Sequence, residues 1–254
     1  MDDLFASSTL YTLMLVFSRA GGLLALAPVF SGQTVPVIVR VALSFLLAWI
    51  LVGLVPSPGP PPAHFLMLLL AIAHEVMVGL LMGLASRFVM FAIEMTGQMM
   101  ATEIGLMMSS SLDPISRTET SPVGIALSTF GAVIFLCSGA HHLMLLAFVR
   151  SFTLVPAAVG NFDPHVADLV VRESGKIFLL AVEMASPLIA INFLVHLALA
   201  ILGRAAPSIN AFLLSIPVQI LAGLTLLGMI LGLAARHMLS GFGEIPELML
   251  RFIH

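Results

Sequence analysis

The chain has 254 residues, of which 60% are apolar and 9% charged, with a formal net charge of −3. An ordinary soluble domain carries about 25% charged residues, so this chain cannot cover a water-facing surface and would expose large apolar patches. That excludes a soluble enzyme, and ten basic residues scattered singly form no patch for nucleic acid or for polybasic lipid recruitment.

In chain order, Met1-Asp2-Asp3 places acid where a secretory signal carries base. The first apolar segment is therefore expected to stay as a membrane element. Pro- and Gly-rich breaks divide the chain into about six apolar stretches: residues 10–30, 37–55, 65–100, 123–152, 177–202 and 211–235. Most reach the roughly 20 residues of a spanning helix. None shows period-two alternation, so the fold class is all-α.

Charged and strongly polar residues interrupt these runs: Arg19, Glu75, Arg87, Glu94, Glu103, Arg150, Glu183, Asn192 and Arg204. A charge at the bilayer centre costs about 2.5–3.5 kcal/mol on an insertion scale. Residues 63–104 as one helix would run about 63 Å, roughly twice the hydrocarbon thickness, so a hairpin or an exit from the lipid is expected. Lys and Arg give no clean alternation between loops and hence no orientation. These features suit helices packed mainly against protein, as part of a larger helical assembly. Gly79 and Gly83 form a small-xxx-small pair for close helix approach. Beyond them Arg87, Glu94 and Gln98 share one stripe. Arg87 and Glu94 lie about 10.5 Å apart along the axis, so their partners are expected on other elements or chains.

Catalytic patterns are not found. His74-Glu75 opens a metalloprotease-like pattern, but Val78 stands where the second histidine belongs. His141 and His142 are adjacent, so on a helix they point about 100° apart and cannot clamp one metal together. Gly241-Phe242-Gly243 lacks the rest of a phosphate loop. Cys137 has no second cysteine to pair with and is expected to be a small buried apolar residue. No metal or cofactor is expected. The stretch from Gly105 to Pro122 differs from the rest: Leu106, Met107 and Met108 are adaptable apolar groups, Ser109, Ser110 and Ser111 are small, and Leu112-Asp113-Pro114 ends in a turn former. It reads as a lid-like constriction or as a plain inter-helix loop.

Four stretches in this order and spacing resemble the flagellar FliR family and, more distantly, its injectisome counterpart in type III secretion. They are Ser18-Arg19 through Ala27-Pro28-Val29-Phe30 to Val35-Pro36; Gly97-Gln98 through Ile104-Gly105 to Leu112-Asp113-Pro114; Gly139-Ala140-His141-His142 with Ser151-Phe152 and Pro156; and Arg204-Ala205-Ala206-Pro207-Ser208-Ile209-Asn210-Ala211-Phe212 to Ile216-Pro217-Val218. The last block is the most specific, and the paired histidines lean toward the flagellar branch. The family pattern would have a bulkier residue than Ala211 and glycine in place of Ala140.

The resemblance implies a subunit of a closed helical export gate in the bacterial inner membrane, within the flagellar basal body. It would sit there with FliP- and FliQ-type subunits and a FlhB-type subunit, in contact with lipid and with exported unfolded polypeptide. It also implies a FliP-like part over about residues 1–160 and a FliQ-like hairpin over about 170–240, turning near Ala205 to Ser208. The stretch Gly105, Leu106, Met107, Met108, Ser109, Ser110, Ser111, Leu112, Asp113 and Pro114 takes the position of the family's pore plug. Subunit packing is expected of Arg87, Glu94, Gln98, Arg204, Pro207 and Asn210. A non-enzymatic channel subunit is the reading adopted. Glu75, Glu94 and Glu183 within apolar runs favour the alternative of a proton-coupled secondary transporter, against which stands the lack of clear repeats around a midplane site. An intramembrane enzyme would need a convergent catalytic set that is not found.

Overall fold

The computed structural model describes residues 7–32, 35–106, 121–158, 165–206 and 211–253. Among these the chain forms seven helices and no strand: α1 (Ser7–Leu26), α2 (Val37–Leu51), α3 (Phe65–Ile104), α4 (Pro122–Cys137), α5 (Ala140–Leu154), α6 (His165–Ala205) and α7 (Ala211–Arg251). α1, α3, α6 and α7 are each long and apolar enough to cross a membrane, and α4 with α5 adds a fifth candidate as a broken span. Only α2, at 15 residues, falls short.

Three expectations about the segments change. Of the two outcomes expected for the third run, a hairpin and an exit from the lipid, the hairpin does not form: α3 is one helix of 40 residues, about 60 Å long at 1.5 Å per residue. Its interior contains no proline, and its glycines lie against neighbouring helices rather than at a turn. The fourth run is two helices, bent by 65° between Cys137 and Ala140. The cause is Gly139, whose φ of +75° is a left-handed conformation that a residue with a Cβ resists. The last two runs extend well beyond their apolar portions, each into a helix of 41 residues. The added turns carry charge: Asp168, Arg172 and Glu173 at the start of α6, Glu244, Glu247 and Arg251 at the end of α7. Apolar content marks the part of a helix that can meet lipid, and says little about where the helix ends.

The chain divides into two compact units. Unit 1 comprises Met1–Phe88, Leu136–Glu173 and Phe242–His254. Within it α1 packs on α2 and on the first half of α3. The α1–α3 contact is backbone on backbone. A Cβ on Gly79 would overlap the Arg19 carbonyl, one on Gly83 would lie 2.7 Å from the Leu23 carbonyl oxygen, and one on Gly22 would lie 2.6 Å from that of Val76. The expected small-residue face is thus real, with α1 as its partner. Leu15, Leu23, Met82, Phe148, Phe152 and Phe252 fill the core, with Phe88 edge-on to Phe252 at 5.6 Å.

Unit 2 comprises Val89–Phe135 and Ser174–Gly241. There α3 meets α4 at Gly97, where an added Cβ would lie 2.6 Å from the Gly124 Cα. On another face α3 meets α6, where the Thr96 hydroxyl, bonded to the Ala92 carbonyl at 2.7 Å, also reaches the Ala181 carbonyl at 3.4 Å. Ile93, Met100, Ile104, Phe135 and Leu188 are fully buried. Outside both cores large apolar side chains stay exposed in number, among them Ile38, Trp49, Phe65, Leu66, Phe193, Leu221 and Met229. Water does not tolerate such a surface, so lipid or other protein covers it.

Candidate functional site

The most elaborate polar arrangement lies in the core of unit 1. Arg19, on α1, is 0% exposed. Its Nε donates to Glu75 Oε2 at 2.6 Å, its Nη1 to Ser151 Oγ at 3.0 Å and its Nη2 to the Val155 carbonyl at 3.0 Å. The guanidinium also lies 4.1 Å from the centre of the Phe152 ring. Glu75, on α3 and equally buried, uses its other oxygen to accept the Ala158 N–H at 3.1 Å, with His74 Nδ1 3.6 Å away. One ion pair therefore joins α1, α3, α5 and the chain that follows α5. Removing two charges from solvent costs several kcal/mol per ion unless the remaining donors and acceptors are satisfied. Here each guanidinium nitrogen and each carboxylate oxygen has a partner, drawn from three different elements.

The amino-acid sequence marks Arg19 and Glu75 as interruptions of apolar runs, Arg19 also within the first family-like stretch and Glu75 as a transporter-type acid, without pairing the two. A signal was available: they are opposite charges in the first and third runs, and Gly79, one turn beyond Glu75, marks where another backbone approaches. Arg87, farther along α3, donates to Ser31 Oγ at 3.0 Å within unit 1, so one of its partners is inside the chain. Cys137, expected to be buried, is exposed at the end of α4, where the bend at Gly139 turns the chain away. His141 and His142 stack with ring centres 4.0 Å apart.

In unit 2 the polar groups are arranged differently. Glu94, Gln98 and Ser128 line an open cleft of about 470 Å³ with Phe91, Met95 and Gly124. Glu94 is exposed and Gln98 half-buried. The cleft exists because Gly97 and Gly124 bring α3 and α4 together at its floor. Farther along α3, Glu103 meets Asn192 of α6: the Asn192 Nδ2 donates to the Glu103 carbonyl at 2.8 Å and lies 2.7 Å from Glu103 Oε2. Asn192 and Glu103, two more of the polar interruptions, are thus partners. Gly105, with φ of +82°, ends α3. Of the expected plug only Gly105 and Leu106 are described; Met107, Met108, Ser109, Ser110, Ser111, Leu112, Asp113 and Pro114 lie outside the described residues. Of the expected packing residues near the α6–α7 connection, Arg204 is exposed in the last turn of α6, while Pro207 and Asn210 lie outside the described residues.

Among the described residues, no group of three or more His, Cys, Asp or Glu side chains is placed to hold a metal ion. The chemistry on offer is packing, charge pairing and a polar cleft on a membrane helix. Comparison with known proteins agrees with that character. The family described as Bacterial export proteins, family 1, matches residues 10–245. The flagellar biosynthetic protein FliR of Caulobacter vibrioides is 30% identical over 249 residues, covering 98% of this chain and 99% of that protein. FliR of Bacillus subtilis is 29% identical over 210 residues, covering 82% and 81%. The Yop proteins translocation protein T of Yersinia pestis is 33% identical over 156 residues, covering 60% and 59%. The match extends through both compact units and every helix, and the chain belongs to family 1 of the bacterial export proteins.

Proposed function

We propose that this chain is a structural subunit of the flagellar type III export gate in the bacterial inner membrane, where it helps form and seal the pore for unfolded flagellar subunits. The observation that carries the reading is the similarity to FliR of Caulobacter vibrioides over 98% of this chain and 99% of that protein. The structure supplies physical support. Large apolar side chains are exposed along α2, α3, α6 and α7, and the Glu94–Gln98 cleft opens on an apolar helix, where a polar group needs a partner. Neighbouring helices of FliP- and FliQ-type subunits, and a FlhB-type subunit, would meet both needs. The division into a FliP-like part to about residue 160 and a FliQ-like hairpin from about 170 to 240 belongs to the same proposal, with α6 and α7 as the hairpin.

The stretch from Gly105 to Pro114 is proposed as the resting seal. Leu106, Met107 and Met108 are adaptable enough to fill an irregular apolar gap, and Ser109, Ser110 and Ser111 add little bulk. The transporter alternative loses its first carrier candidate, because both oxygens of Glu75 are committed to Arg19 and Ala158.

Co-expression with FliP- and FliQ-type subunits tests the assembly: yield and monodispersity in detergent should rise several-fold. Equal behaviour without them would defeat the gate reading. For the seal, deleting residues 107–111 should leave assembly intact and make cells leak ions or small solutes. Parent-level conductance at matched complex levels would return the stretch to a plain connection.

A further inference from the structure

The buried ion pair of unit 1 shows what this chain places around a guanidinium. Arg19 is received by the Glu75 carboxylate, the Ser151 hydroxyl oxygen, the Val155 carbonyl and the face of the Phe152 ring. The Ser151 hydroxyl gives its own proton to the Phe148 carbonyl at 2.7 Å, which leaves its oxygen to accept from Arg19. A guanidinium has only N–H donors and no acceptor. A receptor for it therefore offers a carboxylate, neutral oxygens and an aromatic face.

The cleft of unit 2 carries the same set without the arginine. Phe91, Glu94, Gln98 and Ser128 line it. The first three fall at i, i+3 and i+7 of α3 and so share one face of that helix, while Ser128 comes from α4. The Ser128 hydroxyl gives its proton to the Ile125 carbonyl at 3.0 Å, three residues back, as Ser151 does to Phe148. Its oxygen is left as an acceptor. The Gln98 amide lies over the crossing of α3 and α4, with Nε2 3.3 Å from the position of a Cβ on Gly124. Its oxygen is a neutral acceptor of the kind that the Val155 carbonyl provides in unit 1. Glu94 is exposed and has no ion-pair partner among the described residues. On an apolar helix such a carboxylate is costly until a cation meets it.

We infer that this cleft is a receptor for one arginine side chain, presented by an apolar helix of an unlike export-gate subunit. Glu94 takes the charge, Ser128 Oγ and the Gln98 amide oxygen accept further N–H groups, and the Phe91 ring packs on the guanidinium. The inference rests on the reading of the chain as a gate subunit, and adds the chemistry of the group that the neighbour brings. Charge complementarity selects the occupant. An apolar side chain closing over the cleft would bury Glu94 without a counter-charge, and an acidic one would repel it. Lysine offers a point charge, whereas the separate acceptors and the ring suit a planar fork. An interface of this kind discriminates between partners, because a wrong subunit leaves the carboxylate unpaired.

The test is a charge swap in the co-expressed complex. Glu94→Arg should lower recovery of unlike subunits by about tenfold or more. The same variant purified alone should keep the parent's melting temperature in detergent, because the side chain faces an open cleft. Each arginine on an apolar helix of the unlike subunits is then changed to glutamate in turn. One of these changes should restore most of the recovery beside Glu94→Arg. That arginine changed to lysine, beside the parental Glu94, should give recovery between those of the parent and Glu94→Gln. If Glu94→Arg destabilises the isolated chain, neutral variants replace it: Glu94→Gln combined with glutamine at the partner arginine should cost hardly more than either change alone. Parent-like recovery of Glu94→Arg would overturn the inference and leave the cleft to lipid or water. Rescue by no arginine, or only by one in a second copy of this chain, would overturn it as well while the gate reading stands. A parental chain that recovers no unlike subunit defeats the gate reading itself, and the inference falls with it.

Discussion

The cores of the two units treat charge in opposite ways. In unit 1, Arg19 and Glu75 are fully buried, and each guanidinium nitrogen and each carboxylate oxygen has a partner in the same chain. In unit 2, Glu94 and Gln98 face an open cleft. Composition makes the two cases look alike, since each is a charge inside an apolar run. The first is a completed clamp that holds α1, α3 and α5 together. The second is an unfilled surface on a helix whose surroundings are apolar, which is what a subunit expecting another subunit should present. A charge inside a membrane helix is therefore a sign of partnership, and only its neighbours tell whether the partner is internal.

The largest effect should come from opening the clamp. Glu75→Leu leaves the Arg19 guanidinium buried without its counter-charge and should cost about 3–5 kcal/mol. It would be read as a lower melting temperature in detergent and poor recovery. Combining it with Arg19→Met should restore most of that loss, because two apolar groups need no partners. Equal stability of Glu75→Leu and the parent would mean the pair is not closed as described.

Next in size is Gly79→Val. Its side chain would overlap the Arg19 carbonyl, so α1 and α3 must separate, and both stability and complex recovery should fall. Gly53→Val makes a suitable control, because a Cβ there meets nothing within 4 Å; a similar loss at both positions would remove close packing as the cause.

Glu94→Gln should divide the two units most clearly. The chain's own melting temperature should hardly move, since the carboxylate faces an open cleft, while recovery of unlike subunits should drop. A fall in the isolated chain's stability instead would place Glu94 among the internal clamps. The smallest effect is expected of Arg204→Leu, an exposed residue in the last turn of α6: complex recovery should decline modestly, and complexes that do form should still export. Normal assembly with abolished export would assign Arg204 to conduction.

Much of the architecture was legible before any contact was known. The helical class, the break at residues 56–62 and the close-packing role of Gly79 and Gly83 all follow from local composition. The continuity of α3 did not, because a 40-residue apolar run can equally be a hairpin in lipid or one helix against protein. Nor did the bend at Gly139: Ser138-Gly139 between apolar residues is a common enough pair in straight membrane helices. The Arg19–Glu75 and Glu103–Asn192 contacts were visible only as unexplained polar residues.

The division has a physical reason. Membrane character and helical class are sums over many residues, each contributing independently, so the amino-acid sequence by itself determined them. Which buried charge meets which, across 56 residues for Arg19 and Glu75 and 89 for Glu103 and Asn192, depends on the angle and depth at which helices pack. Those are set by backbone approaches such as Gly79 on Arg19 and Gly223 on Ile104, where fractions of an ångström decide the fit. Only the tertiary structure could decide that one acid closes a core, another faces an open cleft, and a third helps hold the end of α3 in place.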